Sequence, residues 1–130
     1  MYILTIRSDK PEAELGLFND KDKLDYEIWQ AHRELSSTIH VKIKDLLDKQ
    51  SLDLKDLGGI VVYRGPGSFT GLRIGIAVAN ALAYGLSVPI VGSLEEAWIS
   101  QGVDKILNKE NEKVVKPEYG ALPDITTPKK

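Results

Sequence analysis

Cysteine is absent from this 130-residue chain. With it go a disulfide framework, a thiolate nucleophile and any cysteine-ligated zinc site, and a reducing compartment is expected. Charge of one sign is lacking as well: 17 basic and 19 acidic side chains leave a net charge of -2. Such a chain does not grip nucleic acid or membrane unaided, so any RNA contact needs a local patch or a partner's surface. No uninterrupted apolar run approaches the ~18 residues of a spanning helix. The start, Met1-Tyr2-Ile3-Leu4-Thr5-Ile6-Arg7, has neither the basic opening nor the long apolar segment of a signal peptide, and a cytoplasmic location is expected. The two histidines, His32 and His40, stand eight apart, whereas metal ligands facing together from one helix want three or four. No internal repeat is visible.

What is present is one domain's worth of chain with 42% hydrophobic residues, enough to bury a core. Residues 2–7 alternate around Ile and Leu as a first strand, and 13–18 form a second. A polar turn at Asn19-Asp20-Lys21-Asp22 leads to a third strand marked by Leu24, Tyr26 and Ile28. Leu35, Ile39, Ile43, Leu46 and Leu47 then follow helical spacing, predicting a helix over 33–48. After a charged connection at 51–57, Ile60-Val61-Val62-Tyr63 is a continuous apolar strand, as expected when both faces of a sheet are covered. A glycine loop, a helix over 70–84 and a strand over 88–91 follow. Ser93-Leu94-Glu95-Glu96 has the form of a capping box opening a third helix that fades near 105–109. The order β-β-β-α-β-α-β-α predicts a five-stranded mixed sheet with helices on its faces, the topology of a ribonuclease-H-like or actin-like half-domain. Residues 1–107 form that lobe. Residues 108–130, with Pro117, Pro123, Pro128 and many charges, are expected to be an extended tail with little to bury.

The glycine loop is Tyr63-Arg64-Gly65-Pro66-Gly67-Ser68-Phe69-Thr70-Gly71-Leu72-Arg73-Ile74-Gly75. A backbone turning this tightly before a helix presents N–H groups suited to an anion or a closely packed partner. It is not a Walker A motif, because Leu72-Arg73 stands where Lys-Ser/Thr is required. Nor is it a dinucleotide fingerprint, since Gly65, Gly67 and Gly71 are one residue too widely spaced. The plain structural use of the glycines is a tight turn that lets helix and sheet approach. A phosphate-contacting loop would use Gly65, Gly67, Ser68, Gly71 and Arg73, although Arg73 could equally meet a carboxylate. Ser68 and Thr70 read as helix caps rather than nucleophiles.

The helix after the loop is apolar around its whole circumference: Leu72, Ile74, Ile76, Ala77, Val78, Ala79, Ala81, Leu82 and Ala83. A helix lying on a sheet ought to be polar on its far side. Either the tail folds over this one or another molecule does, and its small residues permit close approach of a second helix.

The segment Gly65-Pro66-Gly67-Ser68-Phe69-Thr70-Gly71-Leu72-Arg73-Ile74-Gly75, with the start Tyr2-Ile3-Leu4-Thr5-Ile6 and with Pro89-Ile90-Val91-Gly92-Ser93, resembles the hallmark of the bacterial TsaB (YeaZ) family. The resemblance covers about residues 1–100 and implies an actin-like lobe related to sugar kinases and to TsaD. It implies a non-catalytic scaffold subunit that binds and activates a TsaD-like protein, with a TsaE-like ATPase in a larger complex. tRNA is then met indirectly, through N6-threonylcarbamoyl transfer to the adenosine at tRNA position 37. Cofactors are expected to be none in this chain, with ATP and metal on the partner subunits, and a homodimer through the same helices is a further expectation. The implied partner interface is Ser36, Ile39, Ile43 and Leu47 on the first helix, and Phe69, Thr70, Arg73, Ile74, Ala77, Val78, Ala81 and Leu82 on the second. For the first helix the plainer reading is that Ile39, Ile43 and Leu47 face the sheet.

Three departures from the family pattern bear on activity. Active relatives end the first strand with an Asp that helps to hold metal and phosphate, and Arg7 stands there in this chain. The metal-binding histidines of TsaD have no counterpart. The chain is also expected to be a shortened form without the second lobe, keeping Lys116-Pro117-Glu118-Tyr119, which resembles a segment near the end of longer members. Two rival readings remain. One is a metal-dependent hydrolase, glycoprotease-like or ribonuclease-H-like, built on Asp9 and Glu14 with Arg7 opposing them. The other is a nucleotide-binding regulator using the glycine loop at a TsaD interface.

Overall fold

A computed structural model describes residues 1–118, without the side chains of His32 and Phe69. The far part of the expected tail, Tyr119 and Pro123 included, lies outside the described residues. The strands are β1 (Tyr2–Arg7), β2 (Glu12–Asn19), β3 (Asp22–Gln30), β4 (Leu57–Gly65) and β5 (Ile90–Leu94). The helices are α1 (Leu35–Lys49), α2 (Phe69–Leu86) and α3 (Trp98–Leu107). Single 3-10 turns at His32–Glu34 and Leu54–Asp56 introduce α1 and β4. The five strands make one sheet in the order β3-β2-β1-β4-β5. The β1–β2 and β2–β3 pairs are antiparallel, and β1–β4 and β4–β5 are parallel.

Alternation of side chains along each strand divides the helices between the two faces. Ile6 approaches Gly75 of α2, while Val61 lies against Gly102 of α3. Because Ile6 is paired with Val62, α2 and α3 cover opposite sides of the sheet. Lys42 of α1 reaches Glu27 of β3, and Glu27 sits opposite Leu15, the partner of Ile6, so α1 shares the face of α2. Leu4, Ile6, Leu15, Leu17, Ile60 and Val62 are the fully buried centre of that face.

Several boundaries differ from the sequence expectation. Ser93 is not the cap of a third helix: it is buried within β5, and α3 begins five residues later behind Ala97, which makes no side-chain capping bond. The parallel partner β4 draws the chain into the sheet as far as Leu94, and a Glu at positive φ (Glu95, φ 62°) then turns it out. The helix α2 passes through Gly85 and stops at Ser87, in left-handed conformation with its N–H on the carbonyls of Ala83 and Tyr84. The tail is not wholly solvated either, since Val115 is only 2% exposed.

Candidate functional site

The glycine loop lies where β4 gives way to α2, above the end of β1. Each glycine there admits a specific neighbour. A side chain at Gly67 would run into the Asp9 carboxylate, one at Gly71 into the Ser8 carbonyl, and one at Gly75 into the Ser8 hydroxyl. Gly65 has φ 131° and the Glu118 backbone where a Cβ would stand. The Ser8 hydroxyl donates to the Gly71 carbonyl at 2.7 Å, so the chain leaving β1 is fastened into the first turn of α2. An anion approaching Gly67 meets the carboxylate of Asp9. Ser68 occupies the N-cap position, but its side chain makes no capping hydrogen bond; its carbonyl accepts the Leu72 N–H at 3.0 Å. Arg73, on the outer side of α2, lines a groove with Pro117 and Ala77.

Below the loop, Arg7 and Asp9 form a fork. Arg7 Nε donates to Asp9 Oδ1 at 2.7 Å and Nη2 to Oδ2 at 3.3 Å. The guanidinium lies 3.9 Å from the centroid of the Tyr63 ring, a cation–π contact in a largely desolvated place. Burial works against the Arg7 charge, yet the hydrogen bonds and charge of Asp9 outweigh it and hold the guanidinium above its ordinary value. Tyr63 in turn donates to the Pro66 carbonyl at 2.8 Å and packs edge-on against Trp98, ring centroids 5.8 Å apart. Glu14, opposite Arg7 on β2, accepts from the Tyr26 hydroxyl at 2.6 Å and from Lys10 at 3.0 Å. Burial pushes the Glu14 carboxyl up, but Tyr26 and Lys10 more than offset this and keep it below the usual carboxylate value. Burial and the bond to Glu14 push the Tyr26 hydroxyl far up. Asp9 and Glu14 thus each serve a partner of their own. Among the described residues, no three His, Asp or Glu side chains come together as a metal site.

The candidate interface residues fall into two groups. Ile39, Ile43 and Leu47 are buried on the inner side of α1, and Ile43 and Leu47 reach the floor of a groove beside Leu82. The outward side of α1 is instead polar, with Ser36, His40, Lys44 and Asp48 exposed around a lone apolar Val41. On α2, Thr70, Arg73, Ala77 and Ala81 are exposed, while Ile74, Val78 and Leu82 are half-buried beside them. Phe69's side chain lies outside the described residues. Sequence reasoning missed Tyr84, which is 89% exposed and extends the Ala77–Ala81 line by one turn. Its spacing of three from Ala81 is the signal that would have found it. Also missed was a groove of about 390 Å³ between α1, the Leu54–Asp56 turn and Leu82. Not all of α2 is open, because Leu72, Ile76, Ala79 and Ala83 face the sheet.

Residues 29–97 match the family model described as TsaD: tRNA N6-adenosine threonylcarbamoyltransferase. The tRNA threonylcarbamoyladenosine biosynthesis protein TsaB of Escherichia coli is 32% identical over 118 residues, covering 82% of this chain and 48% of that protein. A tRNA N6-adenosine threonylcarbamoyltransferase of Geotalea daltonii is 45% identical over 62 residues, 48% of this chain and 18% of the enzyme. The solved structure of YeaZ from Pseudomonas aeruginosa superposes with a TM-score of 0.69 at 25% identity, covering 82% of this chain and 50% of that one. The chain spans about half the length of the TsaB and YeaZ proteins it matches.

Proposed function

We propose, since this chain belongs to the TsaB (YeaZ) family within the wider TsaD family, that it is a non-catalytic subunit of the tRNA N6-threonylcarbamoyladenosine machinery and docks a TsaD-like enzyme through α2. One observation carries the reading. The exposed line of α2 begins at polar Thr70 and Arg73 and continues through the small residues Ala77 and Ala81 to Tyr84, with half-buried, apolar Ile74, Val78 and Leu82 along its flanks. Small side chains let a second helix approach closely, and the apolar flanks supply area to bury when it does. The segment held in common with the threonylcarbamoyltransferase of Geotalea daltonii supports a partner that presents a helix pair of the same design.

The absence of catalysis is supported by the Arg7–Asp9 fork. Where an active relative would offer a carboxylate to metal and phosphate, this chain holds a guanidinium already satisfied by Asp9 and stacked on Tyr63. Nucleotide, metal and any TsaE-like ATPase belong, on this reading, to the other subunits. The chain's own work is mechanical: burial of α2 holds the enzyme in a competent arrangement.

The test is co-purification with the cognate TsaD-like protein, together with tRNA modification in the reconstituted system. Replacing Ala81 with Arg is expected to abolish co-purification and modification while the chain stays folded. Undiminished modification without this chain would sink the proposal.

A further inference from the structure

Asn80 stands in the middle of an apolar helix, and both ends of its amide are spent on one residue. Its Nδ2 donates to the Val115 carbonyl at 3.0 Å, and its Oδ1 accepts the Val115 N–H at 2.9 Å. A side chain that satisfies the N–H and C=O of a single residue reads extended backbone, as a neighbouring strand would. The Val115 side chain is 2% exposed and lies over Gly92, where any larger residue would strike it and Arg64. Residues on either side are fixed in the same way. The Ile90 N–H meets Asn111 Oδ1 at 3.1 Å, and the Glu112 N–H meets the Ile90 carbonyl at 2.8 Å. The Glu112 carboxylate takes the Gly92 N–H at 2.8 Å and pairs with Arg64 at 3.2 Å. Finally, the Glu118 N–H bonds the Arg64 carbonyl at 2.7 Å. Residues 111–118 therefore lie along the β5 edge and the flank of α2 in a built seat.

We propose that this seat is a receptor for a short peptide segment, occupied by the chain's own residues 111–118 as a latch, and that the seated latch forms a second wall of the α2 docking face. The ligand class is a segment with a small β-branched residue, a carboxylate three residues before it and a tight turn between the two, as Lys113 (φ 68°) and the Val114 N–H to Glu112 carbonyl bond make here. Two observations tie the latch to docking, and this part rests on the α2 reading given above. Val115 and Pro117 share a groove of about 330 Å³ with Arg73, Ile74 and Ala77, so a helix laid on Ala77 also meets the latch. The latch leaves Ala77, Ala81 and Tyr84 exposed while seated, so it flanks that face rather than covering it. Asn80 is then a positioning residue, acting on the partner through Val115 and Pro117.

The experiment compares the full chain with Asn80→Ala, Val115→Ala and Ala81→Arg by two readouts, namely tryptic cleavage after Lys113 and affinity for the cognate TsaD-like protein. Asn80→Ala and Val115→Ala are each expected to speed cleavage about tenfold and to weaken affinity by a similar factor. Ala81→Arg is expected to abolish binding with cleavage unchanged. Unchanged cleavage in Asn80→Ala would overturn the latch. Faster cleavage with equal or tighter binding would overturn its part in docking. Binding that survives Ala81→Arg would instead remove the α2 reading beneath it and leave the peptide seat standing.

Discussion

Arg7 and Glu14 face each other across β1 and β2, and each is held in its charged form by nearby partners, Asp9 in the β1–β2 connection for Arg7 and Tyr26 on β3 for Glu14. The Glu14 carboxyl lies below its ordinary value, so its contribution to stability is full above the unfolded carboxylate value of about 4.3 and is lost as pH falls through the folded one. Tyr26 lies above its ordinary value, so its contribution is full below about 10 and is lost as pH rises past the folded value. Tyr26→Phe is expected to cost about 1.5–3 kcal/mol at pH 7, in line with a hydrogen bond to a charged group. In urea unfolding the gap between the variant and the parent should narrow toward pH 3; an equal gap at both pH values would count against the bond. Gly71→Ala sets a methyl against the Ser8 carbonyl, which is backbone and cannot swing away. A loss of about 1–3 kcal/mol is expected, read as a lower Tm. The importance of this loop was legible in its glycines, but what they admit was not: Ser8 and Asp9 lie more than fifty positions earlier in the chain.

At the scale of elements, α1 and α2 differ both in how much apolar surface they carry and in how it is used. The apolar residues of α1 recur on one stripe and are consumed by the sheet, leaving a polar outer side. Those of α2 exceed what the sheet can cover, so small and apolar residues remain outside. Ile43→Arg is therefore expected to unfold the lobe, since an unpaired charge would enter the core. Ala77→Arg should change stability by no more than about 0.5 kcal/mol while preventing docking. Circular dichroism melts of both variants separate the two cases, and equal destabilisation would contradict the assignment of faces. At the end of α2, Ser87 carries the left-handed conformation that glycine adopts without penalty. Ser87→Gly is expected to raise stability by up to about 1 kcal/mol in thermal unfolding. Periodicity located both helices from sequence. It could not separate the stripe that the sheet takes from the stripe left over, because that depends on which neighbour each helix meets.

For the whole molecule, the parallel pairs β1–β4 and β4–β5 bind the N-terminal meander to the later crossover units through one continuous buried face. Leu4 lies at its centre, fully buried. Leu4→Ala is expected to cost about 2–5 kcal/mol. Fluorescence of Trp29 and Trp98, which lie in β3 and α3, should report that loss at the same denaturant concentration as far-UV dichroism. Separate transitions would mean that meander and crossover unfold independently. The last described residues belong to this whole, since Val115 completes the packing between α2 and β5 that neither element closes alone. Composition gave no sign of it, because one buried valine among charges reads as solvated chain.

Strand and helix order, the mixed sheet and the family itself follow from local pattern, because alternation, 3.6-residue spacing and a glycine-rich turn express themselves over a few neighbouring residues. Which residues of α1 the sheet buries, which side of α2 stays open, and that Asn80 holds Val115 were decided only when distant segments met. The reason is physical: a buried surface and a paired backbone group are properties of two segments together, and no window on one of them contains the other.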